Sequence, residues 1–307
     1  MFDREGRMIA GIGETVLDIL FRNGQPQAAV PGGSVFNAMV SLGRTIGRSR
    51  PGTRLLMLSQ TGDDAVAGMI TSFMKENGLD TSGMQQDHGQ STVSMAMLDE
   101  RNNASYEFFR DPGLPRFRTP EVDFRSGDIL LFGSYFAVSE ATGPQTRELV
   151  RAARKAGAIV YYDINFRKNH PAAPREIEEN MSLSDIVRGS SEDIEGLYGS
   201  DDASRIYREH ISALCPRFIC TRGADPAEVF SPGVHAVYPT APVEKLVSTV
   251  GAGDNFNAGI IHALVQNKFG ASQLQQLTRA DWDLLVPTAM RFSAVVCGSI
   301  HNYVDII

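Results

Sequence analysis

Asp254 is the residue of this chain best placed to do chemistry. It follows Gly251-Ala252-Gly253 and stands at the start of an apolar helix pattern. Val247 to Thr249 reads as a strand end, the glycines as a turn, and the rest as the helix. Phe256, Ile260, Ala263 and Leu264 fall at i, i+4, i+7 and i+8, which makes one buried face. Asp254 and Asn257 lie three apart on another side. Gly251 and Gly253 have no Cβ, so their amides can approach a ligand closely. Those amides are also the unpaired donors of a helix start, and the helix dipole adds positive potential there. The result is an anion hole. A carboxylate beside it repels phosphate, so simple phosphate binding does not explain Asp254. A carboxylate that takes the proton from a hydroxyl attacking phosphorus does. The plainer alternative is structural punctuation, with Asp254 as an ordinary cap.

Other polar residues interrupt apolar patterns. Asp18 sits inside the strand-like run Val16 to Phe21, which places it at a sheet edge or at a site. Pro31-Gly32-Gly33-Ser34 opens a helix with Val35, Met39 and Leu42 on one side, and Asn37 lies in its first turn. There a small loop lets a ligand lie against backbone while an amide bonds its hydroxyls. Asp163-Ile164-Asn165-Phe166-Arg167 sits at the C-terminal end of a strand, where open α/β sheets place ligands. A satisfied loop network is the other reading of Asp163. The segment Arg188-Gly189-Ser190-Ser191-Glu192-Asp193 follows a short strand at 186–187, and Thr221 and Gly223 close a later one.

The elements that must position these residues alternate. Strands are expected at 8–13, 16–21, 55–59, 129–132, 159–162, 227–231 and 234–238. Helices are expected at 65–77, 140–157 and 281–300, the last interrupted by Pro287. Such alternation implies a parallel sheet covered on both faces. Two alternating strands, 92–98 and 104–109, break the rhythm and predict a small sheet projecting from the body. The length allows two domains or one large α/β domain; one domain over 1–307, with lid strands at about 14–30 and 90–110, is the expectation.

Net charge is −7 over 307 residues, and no basic patch of the kind nucleic acid needs is present. Three widely spaced cysteines, Cys215, Cys220 and Cys297, fit neither a disulfide framework nor a zinc pattern. The charged start lacks an apolar signal region, and no run reaches membrane-spanning length. A cytoplasmic location and no membrane partner are expected. Gly11 and Gly13 lack the third glycine of a dinucleotide fingerprint, and neither a Gly-x4-Gly-Lys-Ser/Thr loop nor a protein-kinase signature set occurs.

The string Thr249-x-Gly251-Ala252-Gly253-Asp254-x-Phe256-x-Ala258-Gly259 resembles the C-terminal signature of the ribokinase/pfkB family of carbohydrate kinases. Gly33 with Asn37 matches the N-terminal motif of that family, and Ser105-Tyr106-Glu107-Phe108-Phe109-Arg110 resembles its fructokinase-like branch. The resemblance covers nearly the whole chain. It implies an α/β, ribokinase-like fold: a central, mostly parallel sheet flanked by helices on both faces, with a small β-sheet lid that often serves as a dimer surface. It implies Asp254 as catalytic base, with the amides of Gly251, Ala252 and Gly253 on the transferring phosphate. Asp18, Gly33, Asn37 and Arg110 fall to the sugar, and Asn165 and Arg167 lie near substrate and phosphate. Thr221 and Gly223 border the nucleotide. Ser190 and Asp193 occupy the places that organise magnesium through water, and Glu192 can take that role because Asp193 is one methylene short. ATP and Mg2+ are the implied cofactors. Ser248 stands where the family usually has the Asp that helps to bind potassium, which puts activation by K+ in doubt. The implied reaction moves the γ-phosphate of ATP to a hydroxyl of a small sugar, fructose first. A 2-keto-3-deoxygluconate kinase, a ribokinase, a nucleoside kinase and a catalytically silent sugar-binding protein stay open.

Overall fold

The computed structural model describes residues 6–50, 52–98, 104–166 and 174–304. The strands are β1 (Met8–Ile12), β2 (Val16–Arg22), β3 (Gln25–Gly32), β4 (Arg54–Thr61), β5 (Met84–Gln86), β6 (Val93–Leu98) and β7 (Ala104–Phe109). They continue with β8 (Ile129–Gly133), β9 (Ile159–Asp163), β10 (Ile186–Ser190), β11 (Phe218–Arg222), β12 (Asp225–Ser231) and β13 (Val234–Tyr238). The helices are α1 (Ser34–Ser49), α2 (Ala65–Glu76), α3 (Ser134–Val138), α4 (Gly143–Lys155), α5 (Pro174–Ser182) and α6 (Ser191–Tyr198). After them come α7 (Ala203–Ile206), α8 (Ala252–Gln266), α9 (Ala271–Leu274) and α10 (Arg279–Cys297), with a π-turn at Tyr207–Ile211 after α7.

Nine strands form the large sheet in the order β13-β12-β11-β10-β9-β8-β1-β4-β5. From β5 to β11 its pairs are parallel; β12 and β13 add an antiparallel edge. β1, β8 and β9 are buried at every residue and free of charge but for Asp163 at the end of β9, because helices cover both faces. One core layer joins α1, α2, α8 and α10 through side chains such as Phe36, Ile70, Ile260 and Trp282. The other joins α3 to α6 through Phe136, Leu149, Ile177 and Ile194. This is the α/β, ribokinase-like architecture expected. The smaller sheet, in the order β3-β2-β6-β7, is separate, and its β2–β6 pair is parallel.

Several elements depart from expectation. Residues 247–249 are not a strand end; the Val247 amide donates to the Cys297 carbonyl at 2.8 Å, tying this loop to the end of α10. The helix expected at 140–157 is α4, which starts later, at Gly143, with Pro144 in its first turn, where its missing N–H costs nothing; the short α3 just before it was not expected. β10 runs three residues past Val187 and carries Arg188 and Ser190 into the sheet. α10 continues through Pro287. α8 is buried on more than one face, because α1 and α10 flank it: Asn255 and Asn257 are as inaccessible as Phe256. Both amides are satisfied. Asn257 accepts from the Tyr161 hydroxyl at 3.0 Å, and the Asn255 amide donates to the Asn302 carbonyl at 2.8 Å. No helix of the described residues is long and apolar enough to cross a membrane.

Candidate active site

Two cavities of about 680 and 630 Å³ adjoin at the start of α8; Arg188, Ser190, Glu192, Thr249 and Gly253 line both. Gly251 caps the helix in the left-handed region (φ 79°), without a side-chain cap. A residue with a side chain is strained there, and a Cβ would lie 2.7 Å from the Asn302 carbonyl oxygen. The Ala252 amide turns back to the Thr249 carbonyl at 3.3 Å, and Ala252 faces the second cavity. Of the anion-hole amides expected, that of Ala252 is therefore the one engaged in the turn.

Asp254 follows in the first turn of α8 and opens into the first cavity. Asn37, in the first turn of α1, donates from Nδ2 to Asp254 Oδ2 at 2.8 Å. This holds the carboxylate in one orientation. Asn37 Oδ1 is buried and has no hydrogen-bond partner among the described residues. An orphaned acceptor at a polar cavity wall suits a ligand hydroxyl. Gly33 (φ 122°) permits the turn into α1, and a Cβ there would stand 2.2 Å from the Glu14 carbonyl oxygen.

The small sheet forms the far wall. Asp18 on β2 is 5% exposed and accepts from the Ser94 hydroxyl of β6. Burial pushes its carboxyl up from 3.8 to about 6, against the lowering effect of Ser94; Glu14 adds to the rise. Arg110 is not an isolated charge. Its fork grips both oxygens of Glu14 at 2.7 and 2.8 Å, and its guanidinium lies over the rings of Phe108 and Tyr135, 4.4 and 4.0 Å from their centres. Asn165 lines the same cavity with φ 37°, whereas Arg167 lies outside the described residues.

Arg188 is the functional candidate that sequence reasoning passed over. It is 8% exposed; Nη1 donates to Asp163 Oδ1 at 3.0 Å and Nη2 to the Thr221 hydroxyl at 2.5 Å. Burial opposes its charge, but Asp163 and Asp193 more than offset that, so it stays protonated. Asp163 is thus part of a buried ion pair, but not a fully satisfied network, since its Oδ2 has no partner among the described residues.

Ser190 and Asp193 form a capping box at α6. Asp193 Oδ2 accepts from the Ser190 amide and Oδ1 from the Phe166 amide, both at 2.7 Å. Both oxygens are committed to backbone, and burial raises the carboxyl above its ordinary range. Glu192 is exposed and faces both cavities; its Oε2 accepts only a 3.3 Å bond from Ser191 among described contacts. Among the described residues no three His, Cys, Asp or Glu side chains gather into a metal cage. Mg2+ keeps several waters and binds through one or two carboxylates plus phosphate oxygens. Glu192, exposed at the junction of the two cavities, fits an ion of that kind arriving with phosphate. Ser248 is 7% exposed and accepts from the Val250 amide at 3.1 Å, so a neutral hydroxyl closes that loop.

The second cavity is lined by Thr221 and Gly223 on one side and by Phe256, Met290, Ala294 and Cys297 on the other. A slot with an apolar floor takes a flat heterocycle, while the first cavity offers carboxylates and amides to a polyol. Two such cavities adjoining at a helix N-terminus, with the Asp254 carboxylate opening into the first, mark in this sheet a small-molecule kinase of ribokinase-like fold.

Known proteins agree. The sequence profile of the pfkB family carbohydrate kinases matches residues 22–280. A probable fructokinase-2 of Arabidopsis thaliana is 26% identical over 284 residues, covering 88% of this chain and 80% of that one. The fructokinase of Xylella fastidiosa with bound ATP superposes with a TM-score of 0.80 at 22% identity, over 97% of this chain and 95% of that one. Aminoimidazole riboside kinase of Salmonella enterica, complexed with aminoimidazole riboside and an ATP analogue, also gives 0.80 at 22% identity, over 96% and 95%. The chain belongs to the pfkB family of carbohydrate kinases.

Proposed function

We propose that this protein transfers the γ-phosphoryl group of ATP to a hydroxyl of fructose, acting as one kinase domain. The observation that carries the reading is Asp254, held by Asn37 in the first cavity and next in sequence to Gly253, which lines both cavities. Asp254 takes the hydroxyl proton as the oxygen attacks phosphorus. The amides at the start of α8 receive the charge of the transferring group, already in place before the reaction. The sugar is oriented by Asp18 and by the Oδ1 atom of Asn37, and the small sheet covers it from water. Magnesium, when bound, neutralises phosphate charge; Glu192 would hold it, directly or through water, while Asp193 fixes the loop. ATP binding is supported by the apolar slot and by the relatives that bind ATP or its analogue.

The Glu14–Arg110 pair favours a neutral sugar. The cation is already met by a bidentate carboxylate, so an acid such as 2-keto-3-deoxygluconate would face Glu14 and Asp18 without a free partner. The test is ADP release over fructose, ribose, ribosides and 2-keto-3-deoxygluconate, first in sodium and then in potassium at equal ionic strength. Fructose should give the highest kcat/KM, with little change between cations because Ser248 brings no charge. Preference for the acid or a riboside overturns fructose as substrate. No turnover on any sugar overturns the kinase, and many-fold activation by potassium overturns the reading of Ser248.

The small sheet also supports pairing with a second copy. Register puts Leu17, Val93 and Phe109 in one row, Ile19 beside Met95 and Phe21 beside Met97, on the face opposite Asp18 and Ser94. Phe109 is 53% and Met97 37% exposed. That face also carries exposed Ser105 and Glu107, opposite Met97 and Met95, and an apolar patch edged by polar residues is the kind that a partner covers. Sedimentation at micromolar concentration should show a dimer that Met97→Lys dissociates; a wild-type monomer sinks this assignment.

A further inference from the structure

We infer that Asn255 is a positioning residue, whose buried amide locks the start of α8 to the segment after α10 and so holds the phosphate-facing amides in place. The inference rests on the kinase reading above.

Asn255 is next to Asp254, but it is wholly buried and lines neither cavity. Packing alone does not call for asparagine there. It is a weaker helix former than alanine, and a buried amide costs stability unless it is hydrogen-bonded. Both polar atoms of this side chain are used. Nδ2 donates to the Gly251 carbonyl and to the Asn302 carbonyl, both at 2.8 Å. Oδ1 accepts from the Ser41 hydroxyl of α1, whose oxygen in turn accepts from the Val304 amide at 3.0 Å. These partners fix which end of the amide is which, because a flipped group would set its oxygen against two carbonyls.

The helix does not need the bond to Gly251, whose carbonyl already accepts from the Asn255 backbone amide at 2.9 Å. The second donor fixes the plane of the peptide between Gly251 and Ala252, and so how the chain enters the next peptide, whose N–H belongs to Gly253. The far end of the clamp is the stretch 299–304, which belongs to no helix or strand. Asn255 holds it at Asn302, Ser41 at the Val304 amide, and Arg44 at the Val304 carbonyl. Asn302 lines the first cavity, and its carbonyl stands where a Cβ on Gly251 would go. Donors aimed at a developing charge help most when they need not reorganise as it forms. Two glycines without side chains give this turn the freedom that such a task opposes. The Asn255 clamp removes that freedom from behind, without touching the ligand.

The test is Asn255→Ala, which removes both donors, suits the helix and leaves no charge buried. A misplacement of about 1 Å can cost about 10²-fold, so kcat is expected to fall about 10–100-fold, with fructose KM and ADP affinity within a few-fold of wild type. The readout that a merely structural role would not move is binding of aluminium fluoride with ADP and fructose, a mimic of the phosphoryl group in transit. Its affinity should fall by the same factor as kcat. A folded variant with kcat near wild type overturns the inference. So does a loss in which affinity for ADP alone falls as far as affinity for the mimic, since that marks general damage. If the alanine variant does not fold, Ser41→Ala decides in its place. It frees the Oδ1 end of the clamp and should lower kcat about 5–10-fold in the same pattern; an unchanged kcat overturns the inference. If the wild-type protein itself shows no ADP release on any sugar, the kinase reading fails instead, and the two failures are told apart.

Discussion

Asp254→Asn should lower turnover about 10²–10⁴-fold, the usual contribution of a general base, while leaving the fold almost unchanged. The structure explains both halves. The substitution keeps shape, and the amide that replaces the carboxylate can still present an oxygen to the Nδ2 group of Asn37, which now donates to Oδ2 at 2.8 Å. The NH2 half of that amide is then turned toward the sugar, where a proton acceptor is needed. Stability loses only the favourable carboxylate at the start of α8, about 0.3–1 kcal/mol. Steady-state rates with saturating fructose and ATP, beside a thermal midpoint, check the result. A folded variant within a few-fold of wild type would reduce Asp254 to a cap.

Asp18→Asn should make the protein more stable and much less active. Its carboxyl holds a proton up to about 6 in the fold, against about 3.9 when unfolded. Ionising it therefore costs the fold about 3 kcal/mol above pH 6, and the cost fades as pH falls from 6 toward 4. The neutral amide avoids that cost and can still accept from Ser94, so the thermal midpoint at neutral pH should rise. Hydrogen bonds to a charged group contribute about 1.5–3 kcal/mol each, so losing the charge against two sugar hydroxyls should lower kcat/KM about 100-fold or more. The same carboxyl sets a pH dependence in the wild type: the fructose KM should climb below about pH 6 as Asp18 protonates. Gly32 belongs to this argument, since a Cβ there would lie 2.1 Å from Asp18 Oδ2. A variant equally active and no more stable would remove Asp18 from the sugar site.

What could be read in the chain was local. Gly251, Gly253 and Asp254 are adjacent in sequence, so their shared helix start was visible before any fold was known. The buried strands and the interrupting hairpin followed from periods of hydrophobicity. The rest depends on contacts distant in the chain. Arg188 looked like the end of a strand because a charge rarely enters a parallel sheet; only Asp163, 25 residues away, makes it possible. Glu14 and Arg110 are 96 residues apart, so although the resemblance assigns Arg110 to the sugar, nothing local shows that Glu14 meets it. Asn257 looked like a polar flank of α8 until Tyr161 supplied its partner. Gly143-Pro144 marks the start of α4, three residues later than the hydrophobic pattern alone placed it.

The seam between α1 and α8 ties residues made far apart in time. Asn37 meets Asp254 across 217 residues, Ser41 meets Asn255 across 214, and Thr45 meets His262 across 217. At a synthesis rate of about 5–20 residues per second, roughly 10–40 s separate Asn37 from Asp254 on the ribosome. Through that interval α1 has an apolar face and no α8 to cover it. A nascent chain halted before residue 254 has α1 and Asn37 but not the carboxylate that Asn37 holds. Activity therefore waits for α8, and fragments split between the two helices should regain it only when mixed.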